Sequence, residues 1–138
     1  MKLSIVIPVY FNEDNLLPLY EDVKEKIIKQ IDYDYELVMV NDGSKDSSYA
    51  VMKQLATQDP NIKIISLSRN FGSHAAILCG LAHCTGDCAV VKAADLQEPT
   101  ELILEMIESW RKGNNVVLAV RAGREESKSQ TLFANLYY

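Results

Sequence analysis

Long apolar runs, paired cysteines, glycine-rich phosphate loops and basic clusters are all missing from this chain of 138 residues. No apolar stretch approaches the roughly 18 residues that would cross a bilayer as a helix. The three cysteines, Cys79, Cys84 and Cys88, are odd in number and form no CxxC pair, and the only histidines are His74 and His83. Tetrahedral zinc sites use paired ligands, so these thiols read as packing groups on core or helix faces in a reducing compartment. Neither GxGxxG nor GxxxxGK[ST] occurs, which removes support for a hydride-transfer enzyme and for a P-loop nucleotidase. With a net charge of −5 and no basic run, the chain is poorly suited to neutralising nucleic-acid phosphates, and no nucleic-acid partner is expected. A small anion held locally by a helix N-terminus, a metal ion or one Arg stays compatible with that charge. Lys2 leads straight into an apolar pattern at Leu3 with no basic leader or cleavage site, so no secretory signal is expected.

What is present is ordinary globular composition, 48% apolar and 24% charged, on a length that fits one compact unit with a real core. Short, nearly continuous Ile- and Val-rich runs at residues 3–7, 37–40, 62–67, 88–91 and 116–120 read as strands buried on both faces. Between them, Leu16, Tyr20, Val23, Ile27 and Ile31 recur at steps of four and three, as do Ile103, Met106 or Ile107, and Trp110, marking core-facing helix stripes. Ser44 precedes a further helical stretch with Asp46 in its first turn, Pro99-Thr100 opens another, and Gly113 closes the last. Five strands alternating with four helices imply right-handed crossovers and an α/β fold, a mostly parallel, Rossmann-like sheet flanked by helices. Ligands in such sheets bind beyond the carboxyl ends of the strands, which directs attention to residues 8–15, 41–47, 68–73 and 93–100.

Each of these segments carries chemistry together with an ordinary structural reading. In Pro8-Val9-Tyr10-Phe11-Asn12-Glu13, Pro8 ends the ladder and Tyr10 offers a flat face for a base, while a turn and a helix start explain the segment equally well. In Asn41-Asp42-Gly43-Ser44, Asp42 can accept a hydrogen bond from a base N–H or a ribose hydroxyl, or simply cap a turn that Gly43 permits. In Leu67-Ser68-Arg69-Asn70-Phe71-Gly72-Ser73, Arg69 beside the N–H groups of a helix start can hold a diphosphate, or pair with a rim acid. In Ala93-Ala94-Asp95-Leu96-Gln97-Glu98-Pro99, oxygen ligands from Asp95 and Gln97 suit Mg²⁺ or Mn²⁺, and a solvated acidic turn is the plain alternative.

Taken together, in this order and at this spacing across nearly the whole chain, the four segments resemble family-two glycosyltransferases with the A-type nucleotide-diphospho-sugar transferase fold. Within that family the chain is most similar to the branch that uses polyprenyl-phosphate acceptors, such as dolichyl-phosphate mannosyltransferases and undecaprenyl-phosphate glycosyltransferases. The resemblance implies that Pro8, Tyr10 and Glu13 line a nucleoside pocket, that Asp42 meets the base, that Arg69 lies nearby, and that Asp95 with Gln97 reaches a metal-bound diphosphate. It further implies an inverting displacement at the anomeric carbon of a nucleotide sugar, UDP-linked in preference to GDP-linked, with the metal neutralising the leaving diphosphate. One departure stands out. The family's Asp-x-Asp motif would place an Asp where this chain has Ala93, beside an unusual Lys92, so the metal rests on Asp95 and Gln97. No general base can be named.

Residues 1–120 are expected to form the nucleotide-sugar-binding half of a transferase domain. Residues 121–138 change character, running from charges at 124–128 into Leu132, Phe133, Leu136, Tyr137 and Tyr138. This stretch reads as an amphipathic helix interrupted by truncation, and with Arg121 and Arg124 it is similar to the membrane-lying segment of the polyprenyl-phosphate branch. A parent enzyme at the cytoplasmic face of a membrane is the first expectation, serving cell-envelope synthesis. A soluble polysaccharide glycosyltransferase, or a sugar-nucleotide-binding module without turnover, are the alternatives. Oligomeric state is left open by the sequence.

Overall fold

The computed structural model describes residues 1–120. Four strands, β1 (Lys2–Val9), β2 (Asp34–Asn41), β3 (Ile62–Ser66) and β4 (Cys88–Val91), form one sheet in the order β3-β2-β1-β4. Every pairing is parallel, with Ile5 opposite Leu37 and Val90, and Met39 opposite Ile64. The connecting helices are α1 (Leu16–Lys26), α2 (Ser48–Gln58) and α3 (Ser73–Ala82), and α4 (Leu102–Arg111) follows β4.

Strand alternation sorts the core into two layers. Leu3, Ile5, Ile7, Leu37 and Met39 face one side and pack with Leu16, Leu19 and Val23 of α1, Met52 and Leu55 of α2, and Ile103 and Ile107 of α4. Val6, Val38 and Val40 face the other side, against Ala76 of α3. Right-handed crossovers explain the division: β1 to β2 to β3 winds in one direction, whereas α3 carries the chain back across the sheet to β4. Gly80 lets α3 approach closely, because a Cβ there would overlap a Val6 methyl.

Several expectations change at this level. The run at 116–120 forms no strand among the described residues, and Val116, Leu118 and Val120 are exposed. Apolar composition alone does not form a ladder, and among the described residues no strand edge pairs with this segment. Burial on both faces holds for β1 and β2 but not for β3 and β4, which are the sheet's edges and are only partly covered. Helix α2 begins at Ser48 rather than soon after Ser44. Asp46 therefore precedes the helix, where its carboxylate accepts from the Ser48 amide and hydroxyl at 3.0 and 2.9 Å. Helix α1 ends at Lys26, and Ile31 lies beyond a 3₁₀ turn at Ile28–Gln30. Gly113, with φ of +98°, ends α4 as expected. The segment at 121–138, with Arg121 and Arg124, lies outside the described residues.

Candidate functional site

Because all four strands are parallel, Asp42, Arg69 and Asp95, which follow β2, β3 and β4, belong to the same carboxyl edge of the sheet. The strand order reverses at β1, where winding toward β3 gives way to the return to β4. A crevice of about 270 Å³ opens there, lined by Pro8, Val9, Tyr10 and Asn12 after β1, Asp42 after β2, Asn70 and Ser73 at the start of α3, and Ala93, Ala94 and Asp95 after β4. This is where open parallel sheets place their ligands.

Of the residues singled out from sequence, Pro8, Tyr10, Asp42 and Asp95 line this crevice. Tyr10 is exposed and stands edge-on to Phe11, with ring centroids 4.6 Å apart. Asp42 is only 2% exposed, and its two oxygens accept from the backbone N–H groups of Phe71 at 2.8 Å and Gly72 at 3.0 Å. The turn-forming role of Asp42 is thus real: it ties the end of β2 to the loop entering α3. Its remaining lone pairs can still face the crevice. Gly43 sharpens the same junction, since its φ is +72° and a Cβ would collide with the backbone of Arg69 and Asn70.

Glu13, Arg69 and Gln97 are placed differently. Glu13 accepts from the Ser47 amide at 2.6 Å, so its carboxylate sits at the N-terminus of α2, where a negative charge is favourable. Ser44 and Ser48 complete that junction by accepting from the amides of Phe11 at 3.1 Å and Asn12 at 3.0 Å. The Ser44 bond holds Phe11 in a left-handed conformation, φ 52°. Arg69 stacks over Phe71, 4.7 Å from the ring centroid, at the exposed rim. Gln97 faces a separate groove between its loop and α1, shared with Pro18, Asp22 and Lys26. Asn12, Asn70 and Ser73 are crevice residues that motif reading did not single out. The only signal for them was membership of the strand-end segments, with Gly72-Ser73 marking the helix start.

Asp95 is exposed, and one of its oxygens takes the Gln97 amide at 3.1 Å. Its other oxygen has no partner among the described residues. Ala93 contributes only a methyl group. No cluster of three or more His, Cys, Asp or Glu that could enclose a metal is found among the described residues. The donor set therefore fits a hard cation such as Mg²⁺ or Mn²⁺ in one way, as a single carboxylate sharing the ion with phosphates of a ligand.

A parallel sheet with a crevice at its point of strand reversal defines an α/β domain of the open-sheet class that binds ligands at its carboxyl edge. The particular family follows from the sequence: residues 4–136 match the Glycosyl transferase family 2 model, and the chain belongs to that family. It is 47% identical over 133 residues to a protein of Bacillus subtilis named uncharacterized glycosyltransferase YkcC, a match covering 96% of this chain and 40% of the relative. It is 40% identical over 124 residues to the prophage bactoprenol glucosyl transferase homolog of Escherichia coli, covering 90% and 40% of the two chains. The chain thus spans about 40% of the length of these curated relatives.

Among solved structures it is similar to the mannosyltransferase PcManGT of Pyrobaculum calidifontis in complex with GDP-Man and Mn²⁺. That match has a TM-score of 0.66 at 21% identity and covers 83% of this chain and 33% of the other. It is also similar to Staphylococcus aureus TarS in complex with UDP, with a TM-score of 0.62 at 19% identity over 86% and 38% of the two chains. At that identity the likeness establishes the fold, which is that of A-type glycosyltransferases. Among the described residues, no helix is long and apolar enough to cross a membrane.

Proposed function

We propose that this chain is the donor-binding part of an inverting glycosyltransferase that takes a nucleotide sugar, UDP-linked in preference to GDP-linked, and transfers the sugar to polyprenyl phosphate at the cytoplasmic face of a membrane. The observation that carries the reading is the crevice itself, in which Pro8, Tyr10, Asp42 and Asp95 meet at the strand reversal. In this reading Tyr10 stacks on the base, Asp42 accepts from base or ribose, and the helix start at Ser73 with Arg69 at the rim receives the diphosphate. Glu13 acts behind them by holding the first loop against α2. Asp95, with Gln97 nearby in sequence, holds Mg²⁺ or Mn²⁺ against the diphosphate. When bound, the ion supplies charge neutralisation for the departing nucleoside diphosphate. The acceptor class is supported by the relatives named bactoprenol glucosyl transferases.

A second reading, a sugar-nucleotide-binding module without turnover, is favoured by one observation, the methyl group of Ala93 where a carboxylate would strengthen the metal site. The test uses the full-length protein with UDP-glucose labelled in the sugar, Mn²⁺ and undecaprenyl phosphate. Label moving into the lipid phase supports the proposal. Tight UDP-glucose binding with no transfer to lipid or to soluble glycan would establish the binding module, and transfer only to soluble glycan would replace the lipid acceptor.

A further inference from the structure

The loop that carries Asp95 is held without backbone ladders. Between residue 93 and residue 101 no backbone N–H donates to a backbone carbonyl elsewhere in the described chain, and Leu96 adopts a left-handed φ of 59°. Side chains hold this loop in place. At its far end Thr100 donates its hydroxyl to Asp22 of α1, and Lys26 bridges Asp22 and Glu101 at 2.8 and 2.9 Å. At its centre the anchor comes from below: Lys92 donates Nζ to the Glu98 carbonyl at 2.9 Å.

Lys92 is an unusual anchor. It is 2% exposed, and by strand alternation it lies on the face of β4 shared with Cys88 and Val90, beneath the loop and toward α1. Its own N–H extends the β4 ladder to Val6. Among the described residues no carboxylate lies within ion-pair distance of its ammonium. A buried cation without a direct ion pair is unfavourable for stability even though, at longer range, the Lys92 charge helps hold the Asp22 carboxyl of α1 below its ordinary range, and a methionine of similar volume would fill the same space without that penalty. What the ammonium supplies and methionine cannot is a fixed point for the Glu98 carbonyl, three residues from Asp95.

We propose that Lys92 is a positioning residue: its buried ammonium, bonded to the Glu98 carbonyl, fixes the 95–98 loop and thereby sets where the Asp95 carboxylate meets a divalent cation and a nucleoside diphosphate. The proposal rests on the donor-binding reading above. It also accounts for the sequence at this strand end, where Ala93 withholds a carboxylate and the loop depends on Asp95 alone.

The test compares the full chain with its Lys92→Met and Lys92→Arg variants by two measurements. Amide hydrogen exchange without ligand should accelerate at least tenfold at Leu96 and Gln97 in Lys92→Met, with α2 and α3 unchanged. UDP affinity should fall at least tenfold in the presence of Mn²⁺ and less than twofold without it, and Lys92→Arg should recover part of the loss. Thr100→Val, which frees the other end of the loop from Asp22 while leaving the Lys92 ammonium and its bond to Glu98 in place, should loosen the same amides and serves if Lys92→Met fails to fold. Unchanged exchange in the 95–98 loop, or an affinity loss equal with and without Mn²⁺, overturns the proposal. Failure of the unsubstituted protein to bind either UDP or GDP would instead defeat the donor-binding reading, and the exchange measurement would still decide whether Lys92 fixes the loop.

Discussion

At the amino end of the sheet, Glu36 is 4% exposed and closed on every side: it accepts from Ser4 Oγ at 2.7 Å, the Thr85 amide at 2.6 Å, Thr85 Oγ1 at 3.0 Å and Lys63 at 3.2 Å. Lys2 completes the ring at 3.3 Å. Asp59, at the entry to β3, is likewise saturated by the hydroxyls of Tyr20 and Tyr35 and the Asn61 amide. Burial and the neighbouring Asp59 charge push the Tyr20 hydroxyl up to about 12, so it remains a donor. At the carboxyl end the two carboxylates that line the crevice are left incomplete. Asp42 spends two bonds on a loop and keeps capacity toward the crevice, and Asp95 is exposed with a single bond. Saturated carboxylates hold elements together, whereas unsaturated ones at a concave edge remain available to a ligand.

The largest effect should come from breaking the saturated end. Glu36→Ala leaves the Ser4 and Thr85 donors without their acceptor and should cost about 3 kcal/mol, read by urea unfolding, with nucleotide affinity per folded molecule unchanged. A selective loss of nucleotide binding would erase the contrast between the two ends. The same carboxyl predicts a pH dependence. Burial alone would raise its pKa, but the hydrogen bonds from Ser4, Thr85 and Lys63 hold it down at about 2, against 4.5 for the free group. Its contribution is fully present above pH 4.5 and lost as pH falls through 2, with the unfolded chain binding the extra proton. Stability should therefore decline by about 3 kcal/mol across that window through this group, and Glu36→Gln should remove that part of the slope.

Gly43→Ala tests the junction on which the open end depends. A Cβ at φ +72° must displace the Arg69 and Asn70 backbone, so we expect about 2 kcal/mol of destabilisation together with weakened nucleotide binding, whereas Glu36→Ala should give only the first. Leu96→Gly should act in the opposite sense on stability. It relieves a left-handed non-glycine residue and should be neutral or stabilising by about 1 kcal/mol in thermal unfolding, while loosening the Asp95 loop and lowering affinity. A variant that binds better as it becomes more stable would show that the left-handed turn at Leu96 does not position Asp95.

This contrast was only half legible in the sequence. The central strands and the α1 stripe of Leu16, Tyr20 and Val23 were readable because burial on a regular element imposes a period, and the strand-end segments followed from topology. Residues 116–120 show the limit of that logic, since an apolar run states what its side chains favour and not whether its backbone pairs with a sheet edge. Side-chain direction was less legible still. Glu13 and Gln97 sit in strand-end loops, yet one serves the α2 start and the other faces the groove toward α1, because the turns at Phe11 and Leu96 reverse the chain locally. The Glu36 ring was invisible, as its members Lys2, Ser4, Lys63 and Thr85 come from separate parts of the chain and carry no shared motif.

The central claim is that the crevice beside Pro8, Tyr10, Asp42 and Asp95 binds a nucleoside diphosphate, with Asp95 acting through a divalent cation. Calorimetric titration of the full chain with UDP and with uridine, each with and without Mn²⁺, tests it most directly when repeated on Asp95→Ala. The account predicts that UDP binds at least tenfold more tightly than uridine in Mn²⁺, about 1.4 kcal/mol, and that Asp95→Ala removes most of this advantage without changing uridine affinity. Equal affinities for UDP and uridine, or an advantage that survives Asp95→Ala intact, would contradict it.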